Sequence, residues 1–178
     1  MKRLQIGDSF WLLAAGAAFL DESGISLLFL LAAALHECGH ALAVLLCGGQ
    51  VLLLRLTALG GVLHYRLARP HPLRDFWIAA AGPLTGFIAA WGAAACEAYV
   101  FSGANLLLSA INLLPVRPLD GGVLIQAVLP ERWLCIIEML CCFAVTAAAL
   151  WLGTHGGGWG LLVFSAAISV KKIGDLCA

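Results

Sequence analysis

Residues 25–47 read ISLLFLLAAALHECGHALAVLLC, and this stretch decides the class of fold. It is apolar almost throughout, and the exceptions that carry chemistry are His36, Glu37 and His40. A helix needs about 20 mainly apolar residues to cross the hydrocarbon core of a bilayer. The stretch therefore predicts a transmembrane helix with three ionisable groups near its middle.

The composition of the whole chain indicates the same lipid environment. Of its 178 residues, 62% are hydrophobic and 11% are charged, whereas soluble proteins average about 45–50% apolar and about 25% charged residues. Ten basic residues balance ten acidic ones, and no basic stripe is present to follow nucleic-acid phosphates. We therefore expect an integral membrane protein, and exclude a secreted disulfide scaffold, a disordered chain and a nucleic-acid binder.

Charges, glycines and prolines divide the apolar sequence into six predicted spans. The spans run over residues 6–20, 25–47, 76–98, 104–129, 134–152 and 158–170. The second to the fifth are long enough to cross a bilayer as helices, and the first and the last are short. The predicted fold class is an all-α, multi-pass integral membrane protein with about six transmembrane helices.

The distribution of basic residues predicts the orientation in the membrane. Nine of the ten Lys and Arg residues lie on the side of the two termini, and the tenth, Arg117, lies in the fourth span. The opposite loops, near 21–24, 99–103 and 153–157, contain no basic residue. Because basic loops stay in the cytoplasm, we expect both termini to be cytoplasmic, in a membrane that we expect to be a bacterial cell membrane.

The loop between the second and third spans has a pattern of its own. Segments 54–57 and 62–66 partly alternate apolar and polar residues on either side of Gly60 and Gly61. Alternation about a Gly-Gly turn favours a β-hairpin, and its apolar character predicts that it lies along the cytoplasmic membrane face. An irregular loop is the alternative.

The H-E-x-x-H motif at residues 36–40 is the most informative one. On a helix, positions i and i+4 share a face, so His36 and His40 can reach one metal ion. Glu37 can then contact a water on the metal and act as a general base. Each ionisable group at membrane depth costs roughly 2.5–3.5 kcal/mol on insertion scales, so a purely structural explanation of all three is unattractive.

A second polar segment, residues 112–122, interrupts the fourth predicted span. Pro115 and Pro118 remove backbone donors and break the helix, and two glycines follow Asp120 directly. Irregular backbone at membrane depth is tolerated only where it is buried in protein or lines a wet cavity. Asp120 is therefore expected to offer an oxygen ligand to a cavity.

A depth estimate allows the two segments to meet. The two histidines are centred about nine residues, or about 14 Å, from the cytoplasmic end of their span. Asp120 lies about ten residues, or about 15 Å, before the exit of its span at Pro130. Two imidazoles, one carboxylate and an open position for water make a catalytic zinc arrangement.

These motifs resemble the site-2 protease family, the zinc metalloproteases that cleave peptide bonds within the membrane. The resemblance rests on H-E-x-x-H, on Asn112-x-x-Pro115-x-x-x-Leu119-Asp120-Gly121 and on the Ala-Gly-Pro-Leu-Thr-Gly run at residues 81–86. Within the family, the spacing is most similar to a sporulation member that activates a sigma factor. The resemblance covers residues 25–130, the expected core of a single domain over residues 1–178. We expect this domain to lack the PDZ and C-terminal CBS domains that some members carry.

The resemblance implies roles for individual residues. His36, His40 and Asp120 would bind Zn²⁺, Glu37 would activate water, and Asn112 would help to hold the substrate backbone or the oxyanion. Asn112 also has a simpler interpretation as an amide that ends or packs a helix. The hairpin would present an edge to which an unwound substrate adds as a strand.

The implied activity is zinc-dependent intramembrane endopeptidase cleavage of a transmembrane or membrane-tethered protein, for example a transcription factor precursor. The lipid bilayer and a membrane inhibitor or regulator are the other expected partners. The alternatives are a catalytically silent pseudoprotease that binds membrane proteins and, less favoured, a metal transporter. The absence of an internal repeat argues against the transporter, because ion-binding sites of transporters commonly lie between repeated halves.

Two charged residues of the predicted spans are not explained by these motifs. Arg117 could stabilise negative charge at the site or extend its guanidinium to the cytoplasmic surface, and the second interpretation is favoured. Glu138 is an acid within the fifth predicted span, and the motifs assign it no role.

Overall fold

A computed structural model describes residues 4–57, 60–69 and 71–155, and the predicted span 158–170 lies outside the described residues. The chain divides into two compact units, Met1–Leu113 and Leu114–Ala178, which are described separately below. The first unit contains β1 (Leu4–Ile6), α1 (Asp8–Leu20), α2 (Ile25–Leu46), β2 (Gly49–Thr57), β3 (Gly60–Leu67), α3 (Pro72–Ala95) and α4 (Tyr99–Asn112). The second contains α5 (Asp120–Gln126) and α6 (Glu131–Thr154).

Three of the described helices, α2, α3 and α6, are long and apolar enough to cross a membrane. Many of their large apolar side chains face outward, including Leu46 and Trp91, which are 79% and 82% exposed. A protein in water would bury most of such surface, whereas lipid tails solvate it. The mainly helical, membrane-protein class is confirmed. With 13 and 14 residues, α1 and α4 are shorter than the helices that meet this length.

Local sequence signals explain where the long helices begin and end. Gly48 follows α2 with a φ of 73°, the left-handed conformation that commonly ends a helix and that glycine adopts without strain. The third helix begins with Pro72, and the Nδ1 of its N-cap, His71, accepts a hydrogen bond from the Leu73 amide at 3.2 Å. Proline is favoured at this first position because its missing N–H would have no partner in the helix.

Small residues let the helices of the first unit approach closely. An ideal Cβ at Gly39 of α2 would lie 2.7 Å from the carbonyl oxygen of Ala81 in α3. Between α3 and α4, the Ser102 hydroxyl donates a 2.8 Å hydrogen bond to the Ala90 carbonyl. Close backbone contact and interhelical hydrogen bonds are the usual means of packing in lipid. Small side chains on α2 and α4 thus allow both helices to approach the backbone of α3.

The predicted hairpin is present, within a three-stranded sheet of order β1-β2-β3. The strands β2 and β3 pair antiparallel from Gly49 with Leu67 to Thr57 with Gly60. The glycines at 60 and 61 therefore lie inside β3, and the prediction that they form the turn is wrong. The strand β1, which was not predicted, adds in parallel to β2 by pairing Leu4 with Leu54.

The predicted fourth span, 104–129, is not one helix. The helix α4 begins at Tyr99 and ends at Asn112, and α5 occupies only Asp120–Gln126. Pro115 and Pro118 cannot donate helical hydrogen bonds, and turn bonds from Val116 to Leu114 and from Leu119 to Val116 replace them. The predicted break in the backbone is correct, and the bounds differ from the predicted range, since α4 begins before residue 104 and α5 ends before residue 129.

Candidate metal centre

The two histidines of the motif point to the same side of α2. The Nε2 atoms of His36 and His40 are 3.1 Å apart, and the two rings meet edge to face with centroids 4.8 Å apart. Both side chains are buried, at 3% and 7% exposure. The i, i+4 spacing predicted this shared face, and the observed pair presents two ring nitrogens to a single point.

A backbone contact sets the tautomer of His40. Its Nδ1 lies 2.7 Å from the carbonyl oxygen of Ile78 in α3. A carbonyl only accepts, so Nδ1 must carry the hydrogen and donate it. The neutral imidazole then keeps an unprotonated Nε2, which is the form that ligates a metal. The third helix therefore orients one of the candidate ligands.

Gly82 of α3 preserves the space beside the two ring nitrogens. An ideal Cβ at this position would lie 2.7 Å from Nε2 of His36 and closer still to the ring of His40. Any larger residue would displace the rings. Two converging imidazole nitrogens beside a residue without a side chain fit a zinc ion, whose usual ligands include histidine nitrogen.

Glu37 lies against β3 of the hairpin. An ideal Cβ at Gly61 would lie 2.6 Å and 2.8 Å from the two carboxylate oxygens of Glu37. The backbone of β3 therefore passes directly over this half-buried carboxylate. The hairpin therefore forms a wall of the candidate site.

The third predicted ligand and the predicted substrate-binding amide lie elsewhere along the chain. Asp120 belongs to the second unit, where it is half-buried in the first turn of α5 after the extended Leu119. Asn112 is the last residue of α4, and its Nδ2 donates a 3.0 Å hydrogen bond to the Leu108 carbonyl. This bond agrees with the interpretation of Asn112 as an amide that ends a helix. The role of Asn112 in substrate binding stays a prediction.

Sequence reasoning missed the pairing of Arg117 with Glu138. The Arg117 guanidinium contacts both carboxylate oxygens of Glu138, at 2.8 Å and 3.1 Å, and also Glu131 at 2.7 Å. The Arg117 side chain is 34% exposed and its charge is paired with two acids, and its extension to the cytoplasmic surface stays a prediction. One signal could have found the pair, because acids and bases within membrane spans usually pair with one another.

The class of protein follows from comparisons with known families. Residues 24–102 match Peptidase family M50. This range includes the H-E-x-x-H helix, the hairpin and the Gly82 segment. The resemblance to the site-2 proteases, which the motifs indicated, is confirmed, and with it zinc as the metal of the family.

Three individual relatives show how much of the chain is similar to known proteins. Rip3 of Mycobacterium tuberculosis is 36% identical over 139 residues, which cover 69% of this chain and 33% of Rip3. Stage IV sporulation protein FB of Bacillus subtilis is 29% identical over 133 residues, which cover 69% of this chain and 46% of that protein. The zinc metalloprotease MJ0392 of Methanocaldococcus jannaschii is 28% identical over 120 residues. The chain thus spans about a third to a half of the length of these relatives.

A solved structure supports the fold. The site-2 protease from Methanocaldococcus jannaschii superposes with a TM-score of 0.67 at 22% sequence identity. The superposition covers 93% of this chain and 86% of that one. The chain therefore has the fold of a site-2 protease.

Proposed function

We propose that the protein is a zinc-dependent intramembrane endopeptidase of the site-2 type. The observation that carries this proposal is the pair of buried imidazole Nε2 atoms 3.1 Å apart on α2, with Glu37 beside them. Ionisable side chains within the membrane are unfavourable in free energy. Metal binding would explain why two imidazoles are buried side by side. The match to Peptidase family M50 supports the same activity.

The proposed zinc ligands are His36, His40 and Asp120. The histidines contribute Nε2, as the hydrogen bond from His40 Nδ1 to the Ile78 carbonyl favours. Asp120 follows the two prolines that interrupt the helix and contributes a carboxylate oxygen. Two His and one Asp leave a coordination position open, as catalytic zinc sites require.

The proposed chemistry is hydrolysis of a peptide bond with Glu37 as general acid and base. A bound zinc ion supplies Lewis acidity, which lowers the pKa of water and polarises the scissile carbonyl. Glu37 takes a proton from the attacking water while the water oxygen bonds to the carbonyl carbon. When the carbon–nitrogen bond breaks, Glu37 returns that proton to the leaving nitrogen and is again a carboxylate. The proposed contribution of Asn112 is to hold the substrate backbone.

The proposed substrate is a transmembrane or membrane-tethered protein, with a transcription factor precursor as one example. The exposed alternate residues of β3, Val62, His64 and Arg66, fit a strand at a membrane surface, and an unwound substrate would add to the sheet edge. The proposal includes six spans, a bacterial cell membrane, cytoplasmic termini, one catalytic domain over residues 1–178 and control by a membrane inhibitor or regulator. A sporulation role, as the name of the Bacillus subtilis relative states for that protein, also stays a prediction.

The test uses a reconstituted substrate. The full chain is placed in phospholipid vesicles with single-pass transmembrane peptides that carry a fluorophore and a quencher on opposite ends. We expect zinc-dependent cleavage by the wild type, inhibition by a chelator, recovery on adding zinc, and loss of at least about 100-fold in rate for Glu37→Gln. The zinc content of that variant should match the wild type, because Glu37 is not a ligand in this proposal.

Other outcomes would refute the proposal. Cleavage by Glu37→Gln at the wild-type rate would refute the general-base role. Peptide binding without any product, in a wild type that holds zinc, would favour a pseudoprotease. Uptake of zinc into the vesicles would favour a transporter.

A further inference from the structure

The second unit contains an ion pair between Arg117, a partly exposed residue three positions before Asp120, and a fully buried acid of α6. Glu138 of α6 is fully buried, and its Oε1 accepts hydrogen bonds from Nε of Arg117 at 2.8 Å and from the backbone N–H of Arg117 at 2.9 Å. The other oxygen, Oε2, accepts from a terminal guanidinium nitrogen at 3.1 Å. One carboxylate thus holds both the side chain and the backbone of Arg117.

The backbone that Glu138 contacts is also packed against the first turn of α5. An ideal Cβ at Gly122 would lie 2.6 Å from the Arg117 nitrogen and 2.7 Å from the Val116 carbonyl carbon. The Gly122 amide also donates to the Leu119 carbonyl at 3.0 Å. Asp120 therefore sits in a short chain segment whose two ends, Arg117 and Gly122, are packed directly against each other.

The two acids that contact Arg117 have different surroundings. The Glu131 side chain is 60% exposed, and its single bond to the guanidinium is a surface contact, which typically contributes little. Glu138 is inaccessible to solvent, and removing either member of a buried pair leaves an uncompensated charge. We therefore expect Glu138 to contribute more than Glu131 to holding Arg117 in place. The proposed chemistry gives Glu138 no role.

We propose that the Arg117–Glu138 pair positions the Asp120 carboxylate for metal binding. Glu138 is a positioning residue and not a ligand: it fixes the backbone three residues before Asp120, so that the carboxylate is presented in one orientation. Residues that orient metal ligands commonly change metal affinity about 10- to 100-fold when they are replaced. This inference rests on the proposed role of Asp120 as the third zinc ligand.

The test measures the zinc dissociation constant of the full chain in detergent, by competition with a fluorescent zinc chelator. We expect Glu138→Gln to weaken zinc binding about 10-fold or more, because the amide no longer holds the guanidinium as an ion pair. The matched control is Glu131→Gln, the same change on the same helix and against the same guanidinium, with an expected effect below about threefold. The melting temperature of each metal-free variant is measured separately from zinc binding.

A double-mutant cycle separates positioning from general damage to the fold. In the Asp120→Ala background, Glu138→Gln should weaken zinc binding no further, because the carboxylate that it orients is gone. An undiminished effect in that background, or zinc affinity within about threefold of wild type in folded Glu138→Gln, would overturn the inference. Should Glu138→Gln fail to fold, Arg117→Lys keeps the charge but loses the two-pronged contact, and the same weakening is expected.

The failure of the inference is distinguishable from the failure of the proposed function. If Asp120→Ala alone binds zinc as the wild type does, the proposed ligand set is wrong and the inference falls with it. If Asp120→Ala loses affinity while Glu138→Gln and Arg117→Lys both keep it, the ligand set stands and the positioning role alone is wrong.

Discussion

At the scale of single residues, two glycines shape the candidate site because they carry no side chain. Gly82 leaves room for the Nε2 atoms of His36 and His40, and Gly61 leaves room for the carboxylate of Glu37. The His40 ring cannot simply turn away from an added methyl group, because its Nδ1 is held by the Ile78 carbonyl. A side chain at either glycine would therefore displace a group of the candidate site.

Gly82→Ala is therefore expected to weaken zinc binding. Adding a methyl group to a tightly packed site costs about 1–3 kcal/mol, which corresponds to about a 5- to 150-fold loss if it falls entirely on the metal-bound state. A zinc titration of the purified chain in detergent measures the change. Gly92→Ala on the same helix is the control, because an ideal Cβ there meets nothing within 4 Å. Equal zinc affinities for the two variants would contradict the packing described around His40.

Some of the site residues could be predicted from the sequence, and others could not. His36, Glu37 and His40 lie within five positions, and helical periodicity alone predicts that the two imidazoles share a face. Gly82 and Gly61 carry no chemical signature, and their importance comes from α3 and β3 approaching α2. Arg117 and Glu138 are 21 positions apart, so only the general rule that charges in a membrane pair with one another could have joined them.

At the scale of elements, α2 and α3 depend on direct backbone contact. An ideal Cβ at Gly39 would meet the Ala81 carbonyl oxygen at 2.7 Å and the Thr85 Cβ at 2.9 Å. The carbonyl belongs to the helix backbone and cannot rotate away as a side chain could. The two helices would have to separate to accept a methyl group at this point.

Gly39→Ala is expected to lower the free energy of unfolding by about 1–3 kcal/mol. Denaturant titration of the metal-free chain in mixed micelles checks this without a contribution from zinc. The control Gly103→Ala adds a methyl group to α4 where an ideal Cβ meets nothing within 4 Å, and it should not destabilise. A Gly39→Ala variant as stable as this control would show that the helices are less closely packed than the structure indicates.

A hydrogen bond joins the hairpin to the start of α3. The Tyr65 hydroxyl of β3 donates to Oδ1 of Asp75 at 3.0 Å. Burial first, and then the hydrogen bond to Asp75, raise the pKa of Tyr65 from 10.0 to about 12. The folded protein thus favours the neutral phenol.

This shift predicts a loss of stability at high pH. Because the phenol binds its proton more tightly in the folded state, the stabilisation is complete below pH 10 and is lost as the pH rises towards 12. Unfolding free energies measured at intervals between about pH 9 and 11.5 should fall more steeply for the wild type than for Tyr65→Phe. Parallel pH profiles for the two proteins would contradict the proposed contact.

Element boundaries were only partly predictable, for local reasons. The helices α2 and α6 lie close to their predicted ranges because charges, glycine and proline mark their ends. The end of α4 at Asn112 agrees with the break that Pro115 and Pro118 predicted, whereas its start at Tyr99 lies before the predicted start at residue 104, because apolar residues continue across that boundary. The strand β1 has three residues, too few for an alternating pattern to emerge.

At the scale of the whole molecule, composition predicted the solvent correctly. A chain with 62% hydrophobic and 11% charged residues cannot cover itself with polar groups, and the large outward-facing side chains of its helices agree with this. The central claim is that His36, His40 and Asp120 together bind one zinc ion.

Elemental analysis of the purified full chain tests that claim most directly. We expect about one zinc per chain in the wild type and in Glu37→Gln, and a small fraction of this in His40→Ala and Asp120→Ala, each of which removes one of three proposed ligands. Glu37→Gln is the matched control, because it changes a neighbouring acid that is not a proposed ligand. A folded Asp120→Ala that keeps a full zinc ion, or a folded wild type without zinc, would contradict the account.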